Sequence, residues 1–432
     1  MMESRRKTPA IDSKTGRAAL VALLAERSLL GPLRVLYSRV GRVFRIPLPA
    51  FHPFVVAGPE SNRRVLVTER GKVRWRNPDP VTEVLRRGVL VTDGHEHDVY
   101  RGLMEPSLKP GALPDYAGNM VEHTDRVRQT WKDGQVVDML VEGRKIALLI
   151  VMDTLFGVQA WDDLPRIWKP ILKTIEYISP GMWILWRRIP RPGFRGPMRE
   201  LDAYLHEIVR NRRKRAPKPD MLQHLIDAGL DDDRIRDQML TMLIAGHDTS
   251  TALLAWAFHL LGTDPDVMHR LTHEVREALG QQPPASTGGW QPPLLDHVIK
   301  ETLRLYPPIH LGNRMVQEDM EFEGQQVPAG ERMFYSIYLT HRDEEYWEEA
   351  QSFCPERFAG GRKTPPFAYV PFGGGPRSCI GAAFGQAEAR LVLGRLLQTH
   401  NFEPTGRKVH AHMGATLEPR PGVFMRVRKQ GA

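Results

Sequence analysis

The run Phe372-Gly-Gly-Gly-Pro-Arg-Ser-Cys-Ile-Gly381, followed at once by helical periodicity to about Leu397, decides the fold of this chain. Glycines at 373, 374 and 375 permit tight backbone turns that other residues resist. The turns deliver Cys379 to the N-terminus of a helix, where unpaired amides and the helix dipole favour a thiolate. A sulfur hydrogen-bonded by backbone amides is a good axial ligand for haem iron. Gly381 leaves space for a macrocycle to approach the helix, and Arg377 can pair with a haem propionate. Two ordinary readings compete. A lone cysteine is more often an inert core residue. A glycine run can bind phosphate, although no Lys-Ser/Thr follows here as a P-loop requires.

The chain has 432 residues, 41% of them hydrophobic, and only two cysteines, Cys354 and Cys379. No disulfide framework is built from two, which points to a reducing compartment and a cytoplasmic protein. Without Cys-x-x-Cys-His, covalent c-type haem attachment is excluded. The net charge of +9 raises nucleic acid, anionic membrane and acidic proteins as partners. The densest basic run, Arg210 to Arg215, ends a helix-like segment, where cations suit the negative pole. No zinc-finger spacing or basic-heptad pattern accompanies it, so nucleic-acid binding is set aside. The first apolar stretch, Ala18 to Ala25, is too short to span a bilayer, and no integral anchor is expected.

Helical periodicity dominates, over roughly Gly16–Ser38, Gly118–Trp131, Gly143–Phe156, Leu164–Ser179 and Pro197–Arg215. The clearest helix lies between Asp231 and Gly262 and is apolar nearly all round from Met239 to Leu261. A core helix and a membrane span both fit that pattern; the polar cluster Gly246-His-Asp-Thr-Ser250 in its middle favours the core. Strand-like segments are short: Val43–Ile46, Phe54–Ala57, Arg332–Tyr338 and Gly422–Val427. The expectation is one mainly α domain over residues 1–432 with a small, mostly N-terminal β region. Gly280 to Pro293 reads as an ordered surface loop.

The cysteine segment resembles the haem-binding signature of cytochromes P-450, Phe-x-x-Gly-x-Arg-x-Cys-x-Gly, at every fixed position. Other motifs follow the family's order. Glu301-Thr-Leu-Arg304 places Glu and Arg one helical turn apart. That spacing alone is common and occurs again at Glu207/Arg210. Its weight comes from Leu305-Tyr-Pro-Pro308 after it and Pro355-Glu-Arg-Phe358 later. The resemblance implies a structural network of Glu301, Arg304 and Arg357 that holds the cysteine loop. Ala245-Gly-His-Asp-Thr-Ser250 resembles the oxygen-activation motif. Thr249 can bond back to the Ala245 carbonyl, loosening the helix, while Gly246 adds room. Asp248 and Thr249 would then relay protons, and His247 is read as structural or pocket-side.

By the same resemblance, His97, Arg101 and Arg314 would contact propionates, and Phe372, Arg377, Gly381 and Ala245 would line haem b, with Cys379 on its iron. The substrate pocket would draw on Leu90, Val91, Ile309, His310, Leu311, Ala415 and Thr416. Met182 to Arg188 would be an access lid or a plain helix end; if exposed, it would favour transient membrane contact. The implied activity is insertion of one atom of O2 into a hydrophobic organic substrate such as a fatty acid or terpenoid. Electrons would come from a ferredoxin or flavodoxin with its NAD(P)H-dependent reductase. The chain ends soon after the cysteine helix, and a basic face around Arg101, Arg362 and Lys363 would suit an acidic carrier. A haem-thiolate isomerase or peroxygenase would share the cysteine loop but usually lacks the Asp-Thr pair. A haem-binding sensor would need no relay at all.

Overall fold

The computed structural model describes residues 11–26, 28–46, 51–75, 79–180, 193–284, 290, 292–360 and 364–430. In chain order its helices are α1 (Ser13–Glu26), α2 (Leu30–Val40), α3 (Pro59–Arg63), α4 (Pro80–Leu85), α5 (Gly94–Met104), α6 (Leu113–Arg128), α7 (Met139–Phe156) and α8 (Leu164–Ile178). They continue with α9 (Arg195–Arg212), α10 (Met221–Asp227), α11 (Asp232–Thr263), α12 (Pro265–Leu279), α13 (Pro293–Leu305), α14 (Ile337–Thr340) and α15 (Ala382–Thr399). The strands are β1 (Val43–Arg45), β2 (Phe54–Val56), β3 (Val73–Arg74), β4 (Val136–Asp138), β5 (Leu311–Val316) and β6 (Met320–Phe322). After them come β7 (Gln325–Val327), β8 (Arg332–Ser336), β9 (His400–Pro404), β10 (His410–Met413), β11 (Leu417–Arg420) and β12 (Phe424–Lys429).

The axis of the molecule is α11. Asp231 caps it through Arg234 N at 2.8 Å, and Asp232 and Asp233 favour its positive pole. From Ile235 to Leu261 nearly every side chain is buried. The openings at Ala245, Gly246 and Thr249 share one face. Against α11 lies α7, whose apolar run is buried almost throughout. A Cβ on Gly143 would meet Leu254 Cβ at 3.5 Å, and one on Gly246 would meet Val151 Cγ2 at 3.0 Å. Gly246 therefore also serves the close approach of α7.

Local chemistry moved several boundaries. The expected helix Gly16–Ser38 is two helices, because the Ser28 hydroxyl accepts the Leu30 amide at 3.3 Å and competes with helical pairing. Helix α6 starts at Leu113 with Pro114 in its first turn, where a missing N–H costs nothing. Helix α7 starts at Met139 because Asp138 accepts the Leu140 amide at 3.0 Å. The strand expected to Tyr338 stops at Ser336, whose hydroxyl caps α14 at Leu339 N. Trp290 is buried over Gly394 of α15 and anchors the loop after α12.

The β region is not mostly N-terminal. The largest sheet has the order β1-β2-β8-β5-β3, with β2 and β8 parallel, so the N-terminal strands find partners far along the chain. A second sheet runs β4-β12-β9, and β6–β7 and β10–β11 are hairpins. Met182–Arg188, Arg362 and Lys363 lie outside the described residues.

Candidate active site

The cysteine loop is built by two glycines in left-handed backbone. Gly373 has φ +69 and Gly375 φ +66; Gly374 is extended. A Cβ on Gly375 would also strike the Leu66 carbonyl at 2.5 Å. The loop closes on itself through Cys379 N to Phe372 O at 2.8 Å and Ser378 N to Gly375 O at 3.0 Å. Helix α15 begins at Ala382, so Cys379 precedes its first turn rather than forming part of it. The Cys379 residue is exposed, yet burial pushes its thiol up, opposed by the Gly381 amide and by Arg101. Both hold for a sulfur facing a recess deep within the chain. Nothing lies within 4 Å of where a Gly381 Cβ would be.

Behind the loop, Glu301 and Arg304 are wholly buried and joined at 2.7 and 2.8 Å. Arg357 Nε donates to the same carboxylate at 2.9 Å, and the Cys354 amide donates to it at 3.0 Å. Arg304 also donates to the carbonyls of His341 (2.8 Å), Ala350 (2.7 Å) and Ser352 (3.1 Å). His341 Nε2 accepts the Val370 amide at 2.8 Å, and the Val370 carbonyl accepts Gly373 N at 3.0 Å. A continuous polar chain thus runs from α13 to the first glycine of the loop.

The cations fall together. Arg101 Nη1 donates to Ser378 O at 2.9 Å, pointing inward, not onto an outer basic face. Burial holds the His97 imidazole below its usual value, helped by Arg377 and Arg101 and opposed by Asp98. Arg377 Nη2 is shared by Thr92 O and the Asp93 carboxylate. Arg314 is buried and lies 4.1 Å from the ring centre of Trp75, with Arg377 at 5.3 Å. Nothing in the sequence pattern pointed to Trp75.

Within α11, Thr249 Oγ1 donates to Ala245 O at 2.7 Å, and the helix stays continuous there. Asp248 faces away from solvent. Arg144 of α7 donates to its Oδ1 at 3.0 Å and Thr416 to its Oδ2 at 2.8 Å. Arg144 also pairs with Glu418, whose other oxygen takes Arg420 at 2.9 Å. Arg144, in the charged stretch Glu142–Lys145 that precedes the apolar run of α7, carries no pattern that marks this cluster. His247 is fully buried, bonded to Leu243 O, and held neutral with its pKa lowered to about 4 by burial and by Arg144. Ser250 donates to Glu388, tying α11 to α15; burial pushes that carboxyl up to about 8.

Of the expected pocket residues, Leu90, Val91 and Ala415 are partly buried against the main core, and Ile309 is 41% exposed. His310 is a buried neutral imidazole, its pKa lowered to about 4 by burial, and Leu311 packs in a separate cluster with α2. Neither is placed by its contacts at a pocket wall. Thr416 is buried on Asp248 instead of lining an apolar surface.

The family model for cytochrome P450 matches residues 22–425. The chain belongs to the cytochrome P450 family. Among its relatives is the putative cytochrome P450 139 of Mycobacterium bovis, 32% identical, covering 79% of this chain and 84% of that one. Cyclooctat-9-en-7-ol 5-monooxygenase of Streptomyces melanosporofaciens is 28% identical over 84% of this chain and 83% of its own length. The retinoic acid-bound cyanobacterial CYP120A1 superposes with TM-score 0.82 and 25% identity, covering 92% of this chain and 94% of its own. The P450 is accordingly a haem-dependent monooxygenase that uses O2, an organic substrate and redox partners. Among the described residues no helix is long and apolar enough to cross a membrane.

Proposed function

We propose that this P450 hydroxylates a compact lipophile, of the terpenoid kind, with Cys379 as iron ligand and Asp248–Thr249 as its proton relay. The observation that carries the reading is the opening of Ala245 and Thr249 on an otherwise buried helix, together with a recessed Cys379 on the cysteine loop. The residues present fit haem b: a sulfur with an amide donor, an open face at Gly381, and four basic side chains, His97, Arg101, Arg314 and Arg377, near one another. Bound there, haem supplies activation of O2 and transfer of one oxygen atom.

The chain's own part is proton control. A carboxylate with both oxygens engaged delivers a proton only after releasing one partner. The ion pair to Arg144 is the costlier to break, about 3–5 kcal/mol, whereas a hydroxyl–carboxylate bond is worth roughly 1.5–3 kcal/mol. Asp248 therefore exchanges Thr416 first, at Oδ2. Thr249 can then give up its bond to Ala245 O and pass a proton along α11. Arg144 and Thr416 act as positioning residues for Asp248.

For the substrate, cyclooctat-9-en-7-ol and retinoic acid are named with two relatives. Each is mostly hydrocarbon with one polar group, the kind of molecule that a largely apolar site with a few placed polar groups takes up. A single domain located in the cytoplasm and supplied by a ferredoxin or flavodoxin completes the reading. Ligand-induced spin-state change of the oxidised protein tests the substrate class. Binding of such lipophiles at micromolar concentration is expected; a shift only with hydrophilic compounds would overturn the assignment.

A further inference from the structure

Trp75 follows β3 and carries a contradiction. Its indole Nε1 is buried and finds no acceptor in the protein, a state that costs a donor its full desolvation penalty. Around it the charge is positive. Arg314 lies over the ring at 4.1 Å and Arg377 at 5.3 Å. Arg377 also feels Arg101, and His97 lies within the same field. The carboxylates that act most on Arg377 are Asp93 and Asp98. Asp93 is already spent: one oxygen takes Arg377 and the other the Trp75 backbone amide at 3.3 Å. Asp98 is on His97 at 2.8 Å and its side chain is largely exposed. An uncommitted donor beside two guanidiniums, with both oxygens of Asp93 already engaged, is a place for an added carboxylate.

We propose that Trp75 donates its indole N–H to a haem propionate, as a positioning residue wedged between Arg314 and Arg377. The inference rests on the haem-thiolate reading above. Contact with the ring holds both guanidiniums beside the indole, so that cationic N–H groups and the indole N–H can serve one anion. No motif marks Trp75, and its place at the end of a two-residue strand hides it from periodicity.

The test uses the holoprotein and haem loss to excess apomyoglobin, comparing wild type with Trp75→Phe, each carrying native haem or haem dimethyl ester. Removing one hydrogen bond to a charged group should speed loss of native haem about tenfold or more. With the ester, whose carbonyl keeps only a neutral hydrogen bond, the acceleration should shrink severalfold. Equal rates with native haem would overturn the proposal, and so would the same acceleration with both haems, which marks a packing role. Should Trp75→Phe not fold, the wild-type ferrous carbonyl protein labelled with ¹⁵N-indole decides. One of its nine tryptophan resonances should move between native and ester haem; none moving would refute the bond. Loss of the red-shifted carbonyl band in wild type would instead refute thiolate ligation, a separate failure.

Discussion

Arg304→Ala is the substitution whose cost can be worked most fully. The wild-type side chain is wholly buried and makes two bonds to Glu301 and three to carbonyls of residues 341, 350 and 352. Truncation leaves the Glu301 carboxylate with Arg357 and the Cys354 amide only. Breaking a buried ion pair from one side costs about 3–5 kcal/mol. Three orphaned carbonyls add roughly 1 kcal/mol each even if water partly reaches them. The sum, on the order of 6–8 kcal/mol, is comparable to the whole stability of a typical domain, about 5–15 kcal/mol. Arg304→Lys keeps the charge but loses the planar fork, so an intermediate loss of about 2–4 kcal/mol is expected. Urea unfolding followed by circular dichroism gives the stability, and the reduced carbonyl spectrum reports the cysteine loop. Because Arg304 is linked through His341 and Val370 to Gly373, both readouts should fail together. An Arg304→Ala protein within about 1 kcal/mol of wild type, the size of an average point substitution, would refute this account of the network.

Other outcomes follow from single contacts. Thr416→Val should divert more reducing equivalents to hydrogen peroxide and less to product, with Thr416→Ser restoring the balance; unchanged partition would remove Thr416 from the relay. Gly375→Ala should cost about 2 kcal/mol or more, from φ +66 and the Leu66 carbonyl at 2.5 Å. Gly381→Ala, with open space around it, should leave apoprotein stability unchanged and weaken haem retention. The pH dependence has two limbs. His247, His310 and His400, with pKa values lowered to about 4, and His341, to about 3, stay neutral in the fold. The unfolded chain binds those protons first, so stability is full above the ordinary histidine value and falls as pH drops toward 4. Glu388, pushed up to about 8, keeps its proton in the fold, so its contribution is full below the ordinary glutamate value and is lost as pH rises toward 8. Glu388→Gln should flatten the decline in melting temperature between about pH 6.5 and 8; an undiminished slope would assign it elsewhere.

What was legible in the sequence was what is local. The cysteine loop announces itself because turns at Gly373 and Gly375 and the residues that follow lie in one short run. Helix α11 was readable from continuous apolar character with a polar interruption. The Arg144–Asp248–Thr416–Glu418 cluster was not, because Arg144 and Glu418 are 274 positions apart and meet only through the fold. The same holds for β2 and β8, whose parallel pairing drew the β region away from the N-terminus. The break before α2 escaped periodicity because it depends on one hydroxyl competing for a backbone amide.

The claim on which the rest depends is thiolate ligation by Cys379. It is tested most directly by the carbon monoxide difference spectrum of dithionite-reduced protein, wild type beside Cys379→Ala. A red-shifted Soret band in the wild type that disappears in the variant is the predicted result. A wild-type protein that binds no haem, or shows only the blue-shifted band of a histidine or protonated thiol, would contradict it.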